Sequence, residues 1–284
     1  MPRARNGTVS LHYESTGAGA PVLLVMGLGM NATGWWRTVP TLAAAGLSVL
    51  TFDNRGVGRS DRPPGPYTTA VMADDAIAVL DAAAVRRAHV YGISLGGMIA
   101  QEIALRHPDR IARLVLGAST PGGNGAIPAD AETLEFFQRR GRMPAEEAVW
   151  ASVPYNYSIQ TRAQRGDRIA QDIGWRLRYP IESQPYAAQL AAALSHDTYD
   201  RLVRIRAPTL VVHGQEDVMV PPANGRLLAN LIPDARVLEL RGAAHLYPTD
   251  APNADHQVAA FLTASADRAN VPTRRQARGF DRPT

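Results

Sequence analysis

The 284-residue chain contains no cysteine. That absence excludes disulfides, thiolate metal sites, iron–sulfur clusters and a cysteine nucleophile together. Lysine is missing too: all 30 basic residues are arginine. Schiff-base chemistry on a lysine amine and the lysine of a phosphate-binding P-loop are thereby excluded, and nucleotide-driven chemistry loses its main sequence support. Long apolar runs are also lacking. The longest, such as 21–26 and 209–212, fall far short of the roughly 20 residues that a bilayer-spanning helix needs, so no membrane association is expected. Residues 1–7 carry Arg3 and Arg5 but lead into no apolar stretch followed by small residues. A secretory signal is not expected, and the cytoplasm is the default compartment.

What is present is a chain that is 45% apolar, enough for one large domain with a deep core. The formal charge of +4 is concentrated at the end: residues 265–284 hold five Arg against two Asp. The body is close to neutral, so nucleic-acid binding is not expected. The Arg- and Pro-bearing tail reads as exposed disordered chain.

Short β-branched runs alternate with helix-like stretches, the pattern of a mostly parallel sheet covered by helices on both faces. Strands are expected at 8–14, 22–26, 47–52, 88–93, 111–116, 209–213 and 236–240, and helices at 71–84, 95–107, 223–231 and 253–263. In the second helix, Met98, Ile99 and Ile103 should face the core while Glu102 and Arg106 face water. His107-Pro108 should stop it, because a residue before proline avoids the α region. From 121 to 205 the rhythm breaks into helical sequence with scattered aromatics: Phe136, Phe137, Trp150, Tyr155, Tyr157, Trp175, Tyr179 and Tyr186. This reads as an inserted helical cap over an active site. The expected organisation is a core of 1–120 and 206–264, a cap of 121–205 and a tail of 265–284. The aromatics, with Trp35 and Trp36, serve either as an apolar pocket wall or as cap core.

The motif that points to chemistry is Gly92-Ile93-Ser94-Leu95-Gly96-Gly97, lying between the strand at 88–93 and the helix from 95. A serine in so sharp a strand–turn–helix junction projects its hydroxyl outward, and the glycines remove side chains that would collide with neighbouring chain. Its alternative is an ordinary helix-capping serine. A serine nucleophile needs a base to take its proton and an acid to orient that base. His245, in the loop after the last strand, and Asp217, in the turn after the strand at 209–213, follow in the order Ser, Asp, His. Glu216 is the alternative acid. The other histidines are read as structural or surface residues, with His196 and His213 the two whose surroundings need inspection.

With these motifs the chain resembles the α/β-hydrolase superfamily over residues 7–265. The likeness extends to Leu11-His12-Tyr13-Glu14 with Gly17 and Gly19, to 22–29, to the block from Asp53 to Asp61, and to Ala207-Pro208-Thr209-Leu210. It is strongest to capped esterases and lactonases, a group that includes 3-oxoadipate enol-lactone hydrolases and aromatic polyketide methyl esterases. The resemblance implies an oxyanion hole made by the backbone N–H groups of Leu28 and Leu95. Met26 stands where the family often has the histidine of a His-Gly pair, which leaves the backbone donor intact. The block from Asp53 to Asp61 lacks the spacing of a phosphate loop and reads as a structural turn.

The implied activity is hydrolysis of a small or medium apolar ester or lactone through an acyl-enzyme, with no metal or organic cofactor. A serine at position 94 argues against haloalkane dehalogenases and epoxide hydrolases, which use aspartate. Alternatives on the same fold are a non-catalytic ligand-binding receptor and a cofactor-free lyase or oxygenase.

Overall fold

The structure, a computed structural model, describes residues 2–264; the expected tail at 265–284 lies outside them. Eight strands form one sheet: β1 (Arg3–Asn6), β2 (Val9–Thr16), β3 (Ala20–Val25), β4 (Leu47–Phe52), β5 (Ala88–Ile93), β6 (Ile111–Gly117), β7 (Thr209–Gly214) and β8 (Ala235–Leu240). Their spatial order is β1-β2-β4-β3-β5-β6-β7-β8. The β1–β2 and β2–β4 pairs are antiparallel and every later pair is parallel.

Alternation along the strands divides the core into two layers, since successive side chains leave a strand on opposite faces. Leu23, Val25, Val90, Leu114, Leu116 and Val211 pack toward one face. That face is covered by α2 (Thr69–Ala82), α3 (Leu95–Arg106) and α10 (Ala223–Leu231). Val22, Leu24, Tyr91, Ile93, Val115 and Val212 pack toward the other, against α1 (Thr38–Ala44) and α12 (Ala254–Thr263). Between β6 and β7 the chain makes six α-helices, α4 (Ala131–Arg140), α5 (Ala145–Ala151), α6 (Val153–Asn156), α7 (Ile159–Gln164), α8 (Gly166–Arg176) and α9 (Ser183–Leu194), and then one 3₁₀ helix. The short α11 (Tyr247–Asp250) precedes α12. Among the described residues, no helix is long and apolar enough to cross a membrane.

Two details differ from the sequence reading. The strand β1 was not expected; its polar sequence RARN shows no apolar alternation, and it exists because it pairs with β2 across the turn at Gly7. Glu102 does not face water. It is 5% exposed and ion-paired with Arg201 at 2.5 Å, because the short 3₁₀ helix Tyr199–Arg204 folds back onto that side of α3. The helix is consequently buried on nearly every side from Leu95 to Ala104.

The parallel order places the loops after β3, β5, β7 and β8 on one edge of the sheet, where open α/β sheets place their ligands. This edge depends on the packing of α3 beneath β5. Ile103→Ala, which empties a fully buried position in that layer, is expected to cost about 2–5 kcal/mol by urea denaturation.

Candidate functional site

Ser94 sits at the junction of β5 and α3 with φ +56° and ψ −123°, a conformation that side chains rarely adopt. The surroundings hold it there. Its N–H donates to the Gly117 carbonyl at 2.8 Å, and its own carbonyl accepts from Gly97 N–H at 2.8 Å and from the Ser119 hydroxyl at 3.0 Å. A Cβ at Gly92 would collide with the Gly96 carbonyl, and one at Gly96 with the Val25 carbonyl. These close approaches are why the turn needs glycine on both sides of the serine.

The loop after β3 is tied down from below. Asn54 Nδ2 donates to the Met26 carbonyl at 3.0 Å, and Asp53 accepts from Ala32 N–H and Arg59 N–H, both at 2.8 Å. Arg55 is clasped by buried Asp75 at 2.6 and 2.7 Å. The block from Asp53 to Asp61 thus serves as a frame beneath the loop carrying Leu28.

After β7 the chain turns so that Asp217 is buried and Glu216 is exposed. His245 Nδ1 lies 2.8 Å from Asp217 Oδ2. Glu216 instead accepts from Ile159 N–H at 3.3 Å, so the geometry pairs His245 with Asp217. Asp217 Oδ1 accepts from the N–H groups of Met219 and Val220, both at 2.9 Å. His213 also reaches it: Nε2 is 3.3 Å from Asp217 Oδ2 and 2.8 Å from the Val220 carbonyl. Sequence order alone placed His213 outside the site, because its contact comes from the last turn of a strand curling back on its own loop. The His245 loop is pinned in turn: Ala244 N–H donates to Asp250 at 2.7 Å and Leu246 N–H to the Asn156 carbonyl of α6 at 2.8 Å.

Burial pushes the Asp217 carboxyl up, but the facing charge of His245 and hydrogen bonds from His213 and His245 outweigh it and bring it down to about 2. With Asp217 ionised, the Nδ1 proton of His245 belongs on the hydrogen bond, which leaves Nε2 as the acceptor. Burial and the charge of Arg201 lower His196 to about 4, so it is neutral at pH 7; it bonds Thr69 at 3.0 Å.

Ser94, His245, Leu28 and Leu95 line one cavity of about 280 Å³, together with residues of the helical insertion. Of the aromatic residues scattered through the insertion, Phe137 and Tyr186 line this cavity. Phe136 and Tyr155 stack at 4.0 Å, Tyr157 is fully buried, and Trp175 stacks on Trp36 at 5.8 Å, so these form packing within and beneath the insertion. Trp35 is core, against Tyr91. The cavity's arginines, Arg140 and Arg176, were not legible in the sequence, since nothing in their spacing distinguishes them from the other arginines. Among the described residues no cluster of His, Asp and Glu has the arrangement of a metal site.

This fold is matched by a family model described as the alpha/beta hydrolase fold over residues 20–252. The chain belongs to that family. It is 35% identical to RutD of Azorhizobium caulinodans, named as a carbamate hydrolase, over 89% of this chain and 94% of that protein. It is 30% identical to the rhodomycin D methylesterase DnrP of Streptomyces peucetius, over 86% of this chain and 91% of that one. Among solved structures, the enol-lactonase of Burkholderia xenovorans LB400 superposes with a TM-score of 0.83 at 27% identity, over 93% of this chain and all of that one.

A carboxyl held down in this way stabilises the fold above the ordinary carboxylate range of about 4, and that contribution is lost as pH falls through about 2. At pH 7, Asp217→Asn is therefore expected to lower stability by about 2 kcal/mol, with the gap to wild type closing between pH 4 and 2. Urea denaturation across that range measures it.

Proposed function

We propose that this protein is a serine hydrolase that cleaves a small or medium carboxylic ester or lactone through an acyl-enzyme. The observation that carries the reading is the 2.8 Å contact of His245 Nδ1 with buried Asp217, beside a cavity that Ser94 enters from a strained turn. In this reading Ser94 is the nucleophile, His245 the base and Asp217 the group that orients and stabilises the imidazolium. The helical insertion acts as a cap, and the enzyme works in the cytoplasm on a small molecule.

The cycle opens with His245 Nε2 taking the Ser94 hydroxyl proton as the oxygen attacks the substrate carbonyl. Negative charge develops on the carbonyl oxygen, and the N–H groups of Leu28 and Leu95 receive it. Leu95 begins α3, so its N–H has no partner in a preceding helical turn and is free to face an anion. His245 returns the proton to the leaving alcohol oxygen and the acyl-enzyme forms. Water then gives a proton to His245, attacks the same carbonyl and releases the acid, restoring Ser94.

A relative named as a methylesterase and a structural neighbour named as an enol-lactonase support an ester or lactone substrate. The carbamate hydrolase relative acts, by its name, on a related carbonyl. The mostly apolar wall, with Met98, Ile127, Leu134, Leu190 and Leu246, suits a substrate with an apolar body.

The test is release of 4-nitrophenolate from 4-nitrophenyl butyrate by wild type and Ser94→Ala, with intact-mass detection of fluorophosphonate labelling. Wild type is expected to turn over many times and to take one label. In Ser94→Ala the label should vanish and kcat should fall by at least about 10³-fold. Turnover that survives in Ser94→Ala, or a wild type that neither labels nor turns over, contradicts the proposal.

A further inference from the structure

The proposed cycle uses one buried histidine and leaves another, His213, without a task. His213 lies near the end of β7, one residue before Gly214, and its side chain has no accessible surface. An imidazole taken out of water needs a partner for its N–H, because an idle buried donor is costly. The partners of His213 lie in the turn that carries Asp217.

The two ring nitrogens are not equivalent. Nε2 lies 2.8 Å from the Val220 carbonyl, which can only accept, so Nε2 carries a proton. Nδ1 has no hydrogen-bond partner among the described residues and lies against α10, where a Cβ at Gly225 would come within 2.6 Å of it. A proton on Nδ1 would be a buried donor facing no acceptor. The geometry therefore puts the ring's one N–H on the Asp217 turn.

That N–H has a second neighbour. Nε2 stands 3.3 Å from Asp217 Oδ2, the same oxygen that faces His245 Nδ1 at 2.8 Å. The Val220 N–H meanwhile donates to Asp217 Oδ1 at 2.9 Å. Val220 is thus held at both ends, its N–H by Asp217 and its carbonyl by His213, and the turn from 213 to 220 closes on itself. The Asp217 side chain is fully buried, so water does not stand ready to replace a donor beside Oδ2. Glu239, on neighbouring β8, is also within electrostatic reach of His213.

We propose that His213 is a positioning residue that sets both the orientation of Asp217 and the basicity of His245. The inference rests on the hydrolase reading for its reaction. By holding the Val220 carbonyl, His213 fixes the turn whose N–H groups bind Oδ1, so Oδ2 stays turned to His245. By setting the positive end of an N–H dipole beside Oδ2, it draws off part of the carboxylate charge that would otherwise stabilise the His245 imidazolium. A base for Ser94 must be unprotonated at the working pH, so this sharing keeps His245 from holding its proton too tightly. His213 does not line the cavity, and its effect reaches the reaction through Asp217. No bond forms or breaks on it.

The test is the pH profile of kcat/KM on 4-nitrophenyl butyrate for wild type, His213→Met and His213→Gln. Methionine fills the space without a donor, and the glutamine amide returns an N–H at a similar reach. In His213→Met the acid limb is expected to move to higher pH by about half a pH unit or more, because the Asp217 charge then acts on His245 alone. On the plateau kcat should fall by about 10-fold per fluorophosphonate-labelled site while KM holds within about 3-fold. His213→Gln should bring the acid limb back to within about 0.2 of a pH unit of wild type and recover most of kcat. A histidine that only filled the core would lower Tm in His213→Met and leave the limb in place. An unmoved limb in His213→Met overturns the inference, as does an equal displacement in both variants.

Two NMR measurements need no turnover. Long-range ¹H–¹⁵N spectra of the unsubstituted protein near about pH 7 should show the His213 proton on Nε2, and the Nδ1–H tautomer would overturn the inference whatever the variants do. The ring titration of His245 in Ser94→Ala, with and without His213→Met, separates the inference from the hydrolase reading. If no ester is cleaved but His213→Met moves the His245 midpoint to higher pH, the positioning role stands and the hydrolase reading falls. If esters are cleaved and the midpoint stays where it was, the positioning role falls and the hydrolase reading stands.

Discussion

The backbone bend at Ser94 is the constraint on which the rest of the site depends. A residue with a side chain at φ +56° carries strain, of order 1–3 kcal/mol, that persists only when neighbours enforce it. Here β6 supplies the Gly117 carbonyl, Ser119 bonds the Ser94 carbonyl, the Gly96 carbonyl of α3 leaves room only for glycine at 92, and the Val25 carbonyl of β3 leaves room only for glycine at 96. The strain has two products. It sets Ser94 in the cavity wall, and it starts α3 with Leu95 lining the same space. A relaxed turn would lose both together.

The second half of the site is built by hydrogen bonds between loops that are far apart in sequence. Asp217 is anchored by Met219 and Val220 N–H groups on one oxygen and by His245, with His213 nearby, on the other. The His245 loop is bonded to Asp250 and to the α6 carbonyl of Asn156, so the helical insertion and the histidine share a support. Movement of the insertion would be felt at His245. The cavity between them is lined mostly by apolar side chains.

Much of this was legible in the chain because the signals were local. Two strands, Leu47–Phe52 and Ala88–Ile93, occur at their expected bounds, and the other expected strands shift by one or two residues at one or both ends. The glycine-flanked serine, the acid after β7 and the histidine after β8 stand out because sheet order dictates where they must fall. What escaped was non-local. The strand β1 is defined by its partner and not by its own polar residues, and Glu102 is covered by an arginine 99 positions away. His213, Arg140 and Arg176 acquire meaning only from what folding sets beside them. The aromatic residues of the insertion carried an ambiguous signal, and packing resolved it: four of the eight pack within or beneath the insertion, two line the cavity, and Trp150 is half exposed.

The central claim is that Ser94 becomes acylated during turnover. Rapid acid quench of wild type with a slowly deacylating ester, followed by peptide mass mapping within the first turnover, tests it most directly. The account predicts the acyl mass on the peptide containing Ser94, appearing before free acid accumulates. Ester consumed with no acyl adduct, or an adduct on a different residue, would contradict it.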